Sequence, residues 1–369
     1  MYRFGVFFER IIAFLTLSAI FLCSIYAAPD ISASSAVMIN ADTGEIIFEH
    51  EANKQRGMAS TTKIMTAIIA IENGELDKKV LIPDTAIGVE GSSLYLKSGE
   101  SMTMRELIIG LMLRSANDAA EAIAILTCGS VNEFADLMNQ KAKDLGLKST
   151  HFTNPHGLSD DNHYTTARDL AMLTAYALKN DTFHEICSTA NATLPGERYV
   201  TNHNKLLSMY DGAYGVKTGF TKATGRCLVS AAKRDNVNLI VVTLNAPDDW
   251  NDHRALLDYG FSLFESVKLA NCGDLVYSVP VVDGESDKID LYIKDNLFVC
   301  LKKNRGSIVE HIEIILPRFA PIYKGDVIGK IIYKLDGKEI ASSPLCASKY
   351  IGIKYSKNSL LNKISNILK

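Results

Sequence analysis

Over the first two thirds of the chain, short apolar runs bounded by turn residues alternate with longer apolar stretches, a pattern that predicts sheet strands interleaved with helices. Residues 36–41 and 45–49 flank Asp42-Thr43-Gly44 and predict a hairpin. Residues 61–71 are dense in Ile, Met and Ala with no Gly or Pro, so they predict a buried helix whose first turn holds Ser60 and Lys63. Two more helical stretches, 104–113 and 119–126, leave Ser115 on the loop between them. Residues 166–178 form a further helix, with Thr165 or Thr166 as cap and Asp169 favouring its positive end. The β-branched runs 216–219, 226–232 and 239–244 predict strands, and 248–265 returns to helix. The expected class is α/β in the α+β sense, a sheet flanked by helices.

From about Val267 the helical period disappears and short strands with tight turns take over. Residues 330–335 and 339–342 flank Asp336-Gly337, a strong hairpin signal. A small all-β domain over 267–350 therefore follows a main domain over 31–265. The two ends read differently again. In residues 1–28, Arg3 and Arg10 precede an apolar run over 11–26 that exits through Ala27-Ala28-Pro29, which predicts an export signal cleaved near Ala27 or Ala28. An uncleaved anchor is the alternative, although the run is short for a span of about 20 residues. Cys23 follows Leu22, which argues against lipoprotein processing. In 351–369 there are four lysines and no acidic residue, and Leu360, Leu361, Ile364, Ile367 and Leu368 share one helical face. This cationic amphipathic tail could rest on an anionic membrane, or dock on the β domain as a terminal helix.

Composition narrows the class of function. At 369 residues, 47% apolar and 22% charged, the chain is globular, and a net charge of −3 argues against nucleic-acid binding. Cys128, Cys187, Cys227, Cys272, Cys300 and Cys346 remain after the leader and form no C-x-x-C pair, so buried free thiols are favoured over disulfides. No Cys/His cluster has metal-ligand spacing. His151, His156 and His163 match neither H-E-x-x-H nor another compact ligand helix, so a metallopeptidase is disfavoured and no metal or other cofactor is expected.

Three short strings carry the candidate chemistry: Ser60-Thr-Thr-Lys63, Ser115-Ala-Asn117 and Lys217-Thr-Gly219. Each is bland alone. In this order they supply a hydroxyl with a lysine one helical turn away, a second hydroxyl with an amide, and a cationic strand edge, the equipment of an active-serine acyl transferase. A serine hydroxyl attacks only if something takes its proton, and Lys63 can do so only when neutral. Its pKa must therefore fall, through apolar neighbours and a nearby cation, for which Lys217 is the obvious candidate. Ser115 can pass a proton and Asn117 can orient Lys63, while Lys217 and Thr218 suit an anionic substrate terminus. Gly219 would let a ligand approach the backbone.

At these residues the sequence resembles the penicillin-recognising serine enzymes, and within them the low-molecular-mass penicillin-binding proteins that act as D-alanyl-D-alanine carboxypeptidases. Asn154-Pro-His-Gly-Leu158, the stretch from His163 to Asp169, Lys217-Thr-Gly-Phe-Thr221 and Gly225-Arg-Cys227 are similar to the same family. The resemblance implies a β-lactamase/transpeptidase-like domain and acylation of Ser60 by the penultimate D-Ala of a peptidoglycan stem peptide, then hydrolysis. It also implies that β-lactams acylate the enzyme, outside the cytoplasmic membrane. Lys63 would be the base, Ser115 and Asn117 the relay and positioning pair, and Lys217 with Thr218 the carboxylate clamp. The backbone N–H groups of Ser60 and Phe220 would hold the oxyanion. Phe220 replaces a histidine found in several members, so substrate preference or hydrolysis rate could differ. Two rivals stay open: a serine β-lactamase, with Glu121, Asp160, Asp161 or Asp169 activating water, and a non-catalytic wall- or β-lactam-binding protein.

Overall fold

The computed structural model of the chain describes residues 28–354. The expected export signal apart from Ala28, and the tail beyond Lys354, lie outside the described residues. Two compact units appear: residues up to Arg234 with Asn238–Leu263, and Asp235–Val237 with the chain from Phe264 onward.

The first unit is built on a five-stranded sheet of β1 (Ser35–Asn40), β2 (Ile46–His50), β3 (Ala213–Thr221), β4 (Gly225–Arg234) and β5 (Val237–Leu244) in the order β2-β1-β5-β4-β3. Every residue of β1 and nearly all of β5 are buried, which is why these strands read as unbroken apolar runs rather than alternating ones. The strand carrying Lys217 to Gly219 is β3, and it lies at the sheet edge. Asp235 and Asn236 join β4 to β5 with φ of 46° and 63°, the left-handed pair that a two-residue hairpin requires.

Helix α1 (Lys63–Asn73) is buried from Lys63 through Ile71. A helix apolar on all faces belongs in the interior, and α1 packs with α2 (Met104–Leu113) and α3 (Asn117–Cys128) in one core. Thr103 and Glu106 close a capping box at the start of α2. Thr166, not Thr165, caps α4 (Ala167–Ala177), accepting from Asp169 N–H at 3.0 Å. Helix α5 (Asp249–Leu263) meets the sheet through His253, whose ring nitrogens lie 2.6 Å from Ser230 Oγ and 2.9 Å from Thr243 Oγ1. It ends two residues earlier than expected because Phe264 begins a strand.

One difference bears on the chemistry. The expected first turn of α1 is a 3₁₀ turn over Ala59–Thr62, and the α-helix proper starts at Lys63. Ala59 has φ of +46°, and the Thr61 and Thr62 hydroxyls donate to the Met58 and Ala59 carbonyls at 2.6 and 2.8 Å. These side-chain bonds compete with the α-helical pattern and tighten the turn.

In the second unit a six-stranded sheet runs β10 (Ile308–Ile314), β12 (Val327–Leu335), β13 (Lys338–Ala347), β8 (Lys288–Ile293), β7 (Leu275–Val282) and β11 (Arg318–Phe319), beside a β6–β9 pair of Phe264–Ala270 and Leu297–Lys302. Alternate residues of β8 are buried, the period-two signature of a sheet packed on one face. Val279, Ile289, Leu291, Ile331 and Leu345 are among its separate core. Asp336 and Gly337, at φ of 49° and 78°, make the expected hairpin turn. Among the described residues no cysteine forms a disulfide; Cys187, Cys227 and Cys346 are buried as expected, but Cys272 is exposed.

Candidate active site

Ser60 sits in the 3₁₀ turn and Lys63 opens α1, so three residues of separation bring the two side chains together. Lys63 is fully buried, and its Nζ has three neighbours: Asn117 Oδ1 at 2.7 Å, the His156 carbonyl at 2.6 Å and Ser60 Oγ at 3.0 Å. Two of these can only accept. An ammonium fills all three with N–H bonds; a neutral amine keeps the two carbonyl bonds and turns its lone pair on Ser60, the single neighbour with a proton to give. Burial holds the Lys63 pKa well below the ordinary lysine value, the Lys217 charge lowers it further, and Asp118 opposes them more weakly.

The loop between α2 and α3 is three residues long, and Ser115 occupies it at φ of +62°, 5% exposed. A non-glycine residue held there is strained and usually has a task. Asn117 is aimed from both ends: its Nδ2 donates to the Glu90 carbonyl at 2.5 Å and its backbone N–H to the Ser92 carbonyl at 2.7 Å. Gly91, at φ of +98°, leaves the room; a Cβ there would sit 2.7 Å from Asn117 Nδ2. Buried Asp118 secures the same loop, accepting from Ser93 Oγ–H at 2.6 Å and from the N–H groups of Leu94 and Leu96 at 3.0 and 3.1 Å.

Edge strand β3 lies against the Ser60 turn with no side chain between. A Cβ on Gly219 would stand 3.0 Å from the Ser60 nitrogen and 3.1 Å from that of Thr61. Replacing Gly219 by valine is expected to push the strand off the turn and slow acylation by penicillin by about 100-fold, with about 1–3 kcal/mol lost from stability. Stopped-flow labelling and thermal unfolding check the two effects. Lys217 is 1% exposed, donates to the Thr218 carbonyl at 2.9 Å, and is lowered to about 7 by burial. Ser60, Ser115, Thr218, Gly219 and Phe220 share one cavity of about 380 Å³, whose rim also carries Lys205, Arg226 and Trp250. Phe220 itself is 63% exposed, so its side chain is free to meet a ligand.

Sequence reasoning missed what stands behind Ser60 and Lys63. His156 holds Lys63 through its carbonyl while its ring nitrogen Nε2 lies 3.4 Å from Glu121 Oε1. That contact has ion-pair spacing, but burial and then the nearby lysine charge lower the His156 pKa to about 3, so the ring is neutral and the contact is not an ion pair. His163, 4% exposed, accepts at Nδ1 from Thr153 N–H at 3.1 Å, so its Nε2–H faces Thr62 Oγ1 at 2.8 Å. The Thr62 hydroxyl then donates to the Ala59 carbonyl beside Ser60. Gly157, at φ of +88°, presses on the same carbonyl; a Cβ there would come within 1.9 Å of it. The signal was present in Asn154-Pro-His-Gly-Leu158, where only glycine fits, but its partner Ala59 is about a hundred residues away in sequence.

A profile for D-alanyl-D-alanine carboxypeptidases matches residues 24–248, and one for the C-terminal domain of penicillin-binding protein 5 matches 264–352. The D-alanyl-D-alanine carboxypeptidase DacF of Bacillus subtilis is 34% identical over 331 residues, 86% of this chain and 85% of that protein. The chain belongs to the D-alanyl-D-alanine carboxypeptidase family. DacA of Escherichia coli is 32% identical, over 86% of this chain and 83% of its own length. Penicillin-binding protein 5 of Haemophilus influenzae superposes with a TM-score of 0.65 at 30% identity, covering 88% of this chain and 98% of its own. The mixed fold with a C-terminal β domain is therefore the family fold.

The chain is a serine carboxypeptidase of the penicillin-binding type, and the carboxylates expected of a β-lactamase are engaged with other groups or line a different cavity. Asp169 accepts from Ser149 N–H and Thr150 Oγ–H, both at 2.8 Å. Glu121 faces His156, and Asp160 and Asp161 line a different cavity. The carboxylate on the rim of the Ser60 cavity is Asp249, which Arg226 holds at 3.0 Å. Among the described residues no group of three or more His, Cys, Asp or Glu is placed to hold a metal ion, and no helix is long and apolar enough to cross a membrane.

Proposed function

We propose that Ser60 is the residue acylated by the penultimate D-Ala of a peptidoglycan stem peptide, releasing the terminal D-Ala, and that β-lactams acylate the same oxygen. The observation that carries this reading is the environment of Lys63: two acceptors hold two N–H groups, leaving the lone pair for the Ser60 proton. In the first step Lys63 takes that proton as Oγ bonds to the carbonyl carbon. The oxyanion is held by the backbone N–H groups of Ser60 and Phe220. Ser115 returns a proton to the leaving amine, Asn117 positions Lys63 and substrate, and Lys217 with Thr218 binds the terminal carboxylate. Water then takes the place of the amine and the ester is hydrolysed.

Mass spectrometry of the protein after incubation with a diacyl tripeptide ending in D-Ala-D-Ala, and separately with penicillin, tests this. Released D-Ala with a transient acyl mass, and a penicillin adduct on Ser60 that persists for many minutes, are the expected results. Rapid turnover of penicillin would instead favour a β-lactamase, and no adduct at all would favour a binding protein. The leader over 1–28 would deliver the enzyme outside the cytoplasmic membrane. The four lysines from Lys354 onward, with no acidic partner, would hold it at the anionic outer face.

A further inference from the structure

Leu275, Tyr277, Phe298 and Val309 are exposed elsewhere in the β unit, but most of its large exposed apolar side chains gather at one end of its main sheet. Ile315 and Leu316 follow β10 there, 73% and 53% exposed; Phe319, in β11, is 58% exposed. Tyr323 and Tyr350, 59% and 56% exposed, place their rings 5.4 Å apart. Strand pairing shows that these positions share one end. Ile314, the last residue of β10, pairs with Gly329 near the start of β12, whose first residue Val327 pairs with Cys346 near the end of β13. Phe319 pairs with Val282 at the end of β7, and Ile322 bridges to Ile351. The chain leaves the described residues at the same place: Ile353, 44% exposed, bridges to Gly284, and Lys354 N–H donates to the Asp283 carbonyl.

The patch is unlike an ordinary polar loop end. Its aromatic and apolar residues sit directly beside lysines along the chain, as Tyr323-Lys324, Lys349-Tyr350 and Ile353-Lys354. Four acids, Asp283, Glu285, Asp287 and Asp326, also lie in these turns, and Asp326 Oδ2 is occupied by Tyr323 N–H at 2.8 Å. The exposed rings and the adjoining tail, rather than a net positive patch, are therefore what favour a bilayer. Tyrosine rings with lysine between them are the side chains that settle at the boundary of headgroup and acyl chain, ring inward and ammonium outward. The sequence then continues into the segment over 355–369, which holds three more lysines, no acid and five large apolar residues whose spacing predicts a single helical face.

We propose that this end of the β unit is a second membrane contact, in which Phe319, Tyr323 and Tyr350 enter the interface of an anionic bilayer beside the point where the tail begins. The inference rests on the tail reading above and goes beyond it: the tail alone would be a tether, whereas two adjoining contacts fix the orientation of the β unit on the surface. A single amphipathic or lipid-like element gives only marginal, reversible binding, and a second one makes it stable.

The test is flotation of the full chain with vesicles of phosphatidylglycerol and phosphatidylcholine, against vesicles of phosphatidylcholine alone. The parent is expected to bind the anionic vesicles only. The triple variant Phe319→Ser, Tyr323→Ser, Tyr350→Ser should lose about tenfold or more in partitioning, since each ring withdrawn from the interface forfeits apolar burial. Its penicillin acylation rate and unfolding midpoint should match the parent. Lys357→Glu with Lys363→Glu, which leaves the patch intact, should weaken binding separately. Unchanged binding of the triple variant overturns the patch. Unchanged binding of the lysine variant overturns the tail reading, and with it the paired contact. A concentration-dependent dimer that the triple variant abolishes, with vesicle binding unaltered, would assign the patch to a second copy of the chain and equally overturn the proposal.

Discussion

Exchange of Lys63 for arginine is expected to cost about 10⁴-fold in kcat/KM on a D-Ala-D-Ala peptide, nearly as much as removing the Ser60 hydroxyl altogether. Arginine keeps the positive charge and has the reach, but its guanidinium stays protonated at any pH the protein survives and so has no lone pair to offer. A lysine acting only as an electrostatic anchor would tolerate the change to within about tenfold. Ser60→Ala should abolish D-Ala release and penicillin labelling together, because Ser92, Ser115 and Thr218 share the cavity but the hydroxyl that Lys63 Nζ hydrogen-bonds is that of Ser60. Steady-state kinetics on the arginine variant and intact-mass measurement on the alanine variant read the two outcomes. A penicillin adduct persisting in Ser60→Ala would remove the proposed nucleophile.

Lys217→Met is expected to impair recognition of a free C-terminal carboxylate by about 100-fold in KM while changing an amidated analogue much less, and to raise stability at the same time. The stability effect follows from the buried amine. Its pKa is about 7 in the folded chain, against the ordinary lysine value of 10.5. Between these values the unfolded chain binds the proton and the folded chain gives it up, so stability rises with pH across that window. Below the folded value the full penalty of burying an ammonium is present; above the unfolded value it is gone. Methionine fills the space without a charge, so the variant should melt higher than the parent at pH 7 and the margin should close as pH approaches 10. Calorimetry across that range checks the sign. A margin that widened with pH would mean that Lys217 is held charged by a partner rather than disfavoured by burial. A bound carboxylate is the partner that would restore the charge, which couples substrate binding to proton uptake.

The residue types of the site were legible because each chemical requirement leaves a short local trace. Ser60 and Lys63 are three apart, Ser115 and Asn117 two apart, and Lys217 to Gly219 contiguous, so helix pitch and strand geometry alone bring each set together. The apolar texture of residues 61–71 announced that Lys63 would be buried, and the change of period near Val267 announced a second kind of domain. The roles of Gly157, His156 and His163 were not legible. A carbonyl that holds Lys63 and a histidine that holds Thr62 act across about a hundred residues, and nothing in a loop histidine's neighbours along the chain distinguishes it from a solvated one.

What the linear order of residues determined, then, was the inventory: a hydroxyl with an amine one turn away, a polar loop carrying a second hydroxyl and an amide, a cationic strand with glycine at its close approach, and an all-β module to follow. What only tertiary structure decided was the direction of a lone pair. Lys63 Nζ meets two carbonyl-type acceptors from Asn117 and His156, which belong to separate segments, and the site left over is the one at Ser60. Hydrogen-bond geometry is short-ranged and directional, so it is set by which distant segments the folded core presses together, and no local pattern encodes it.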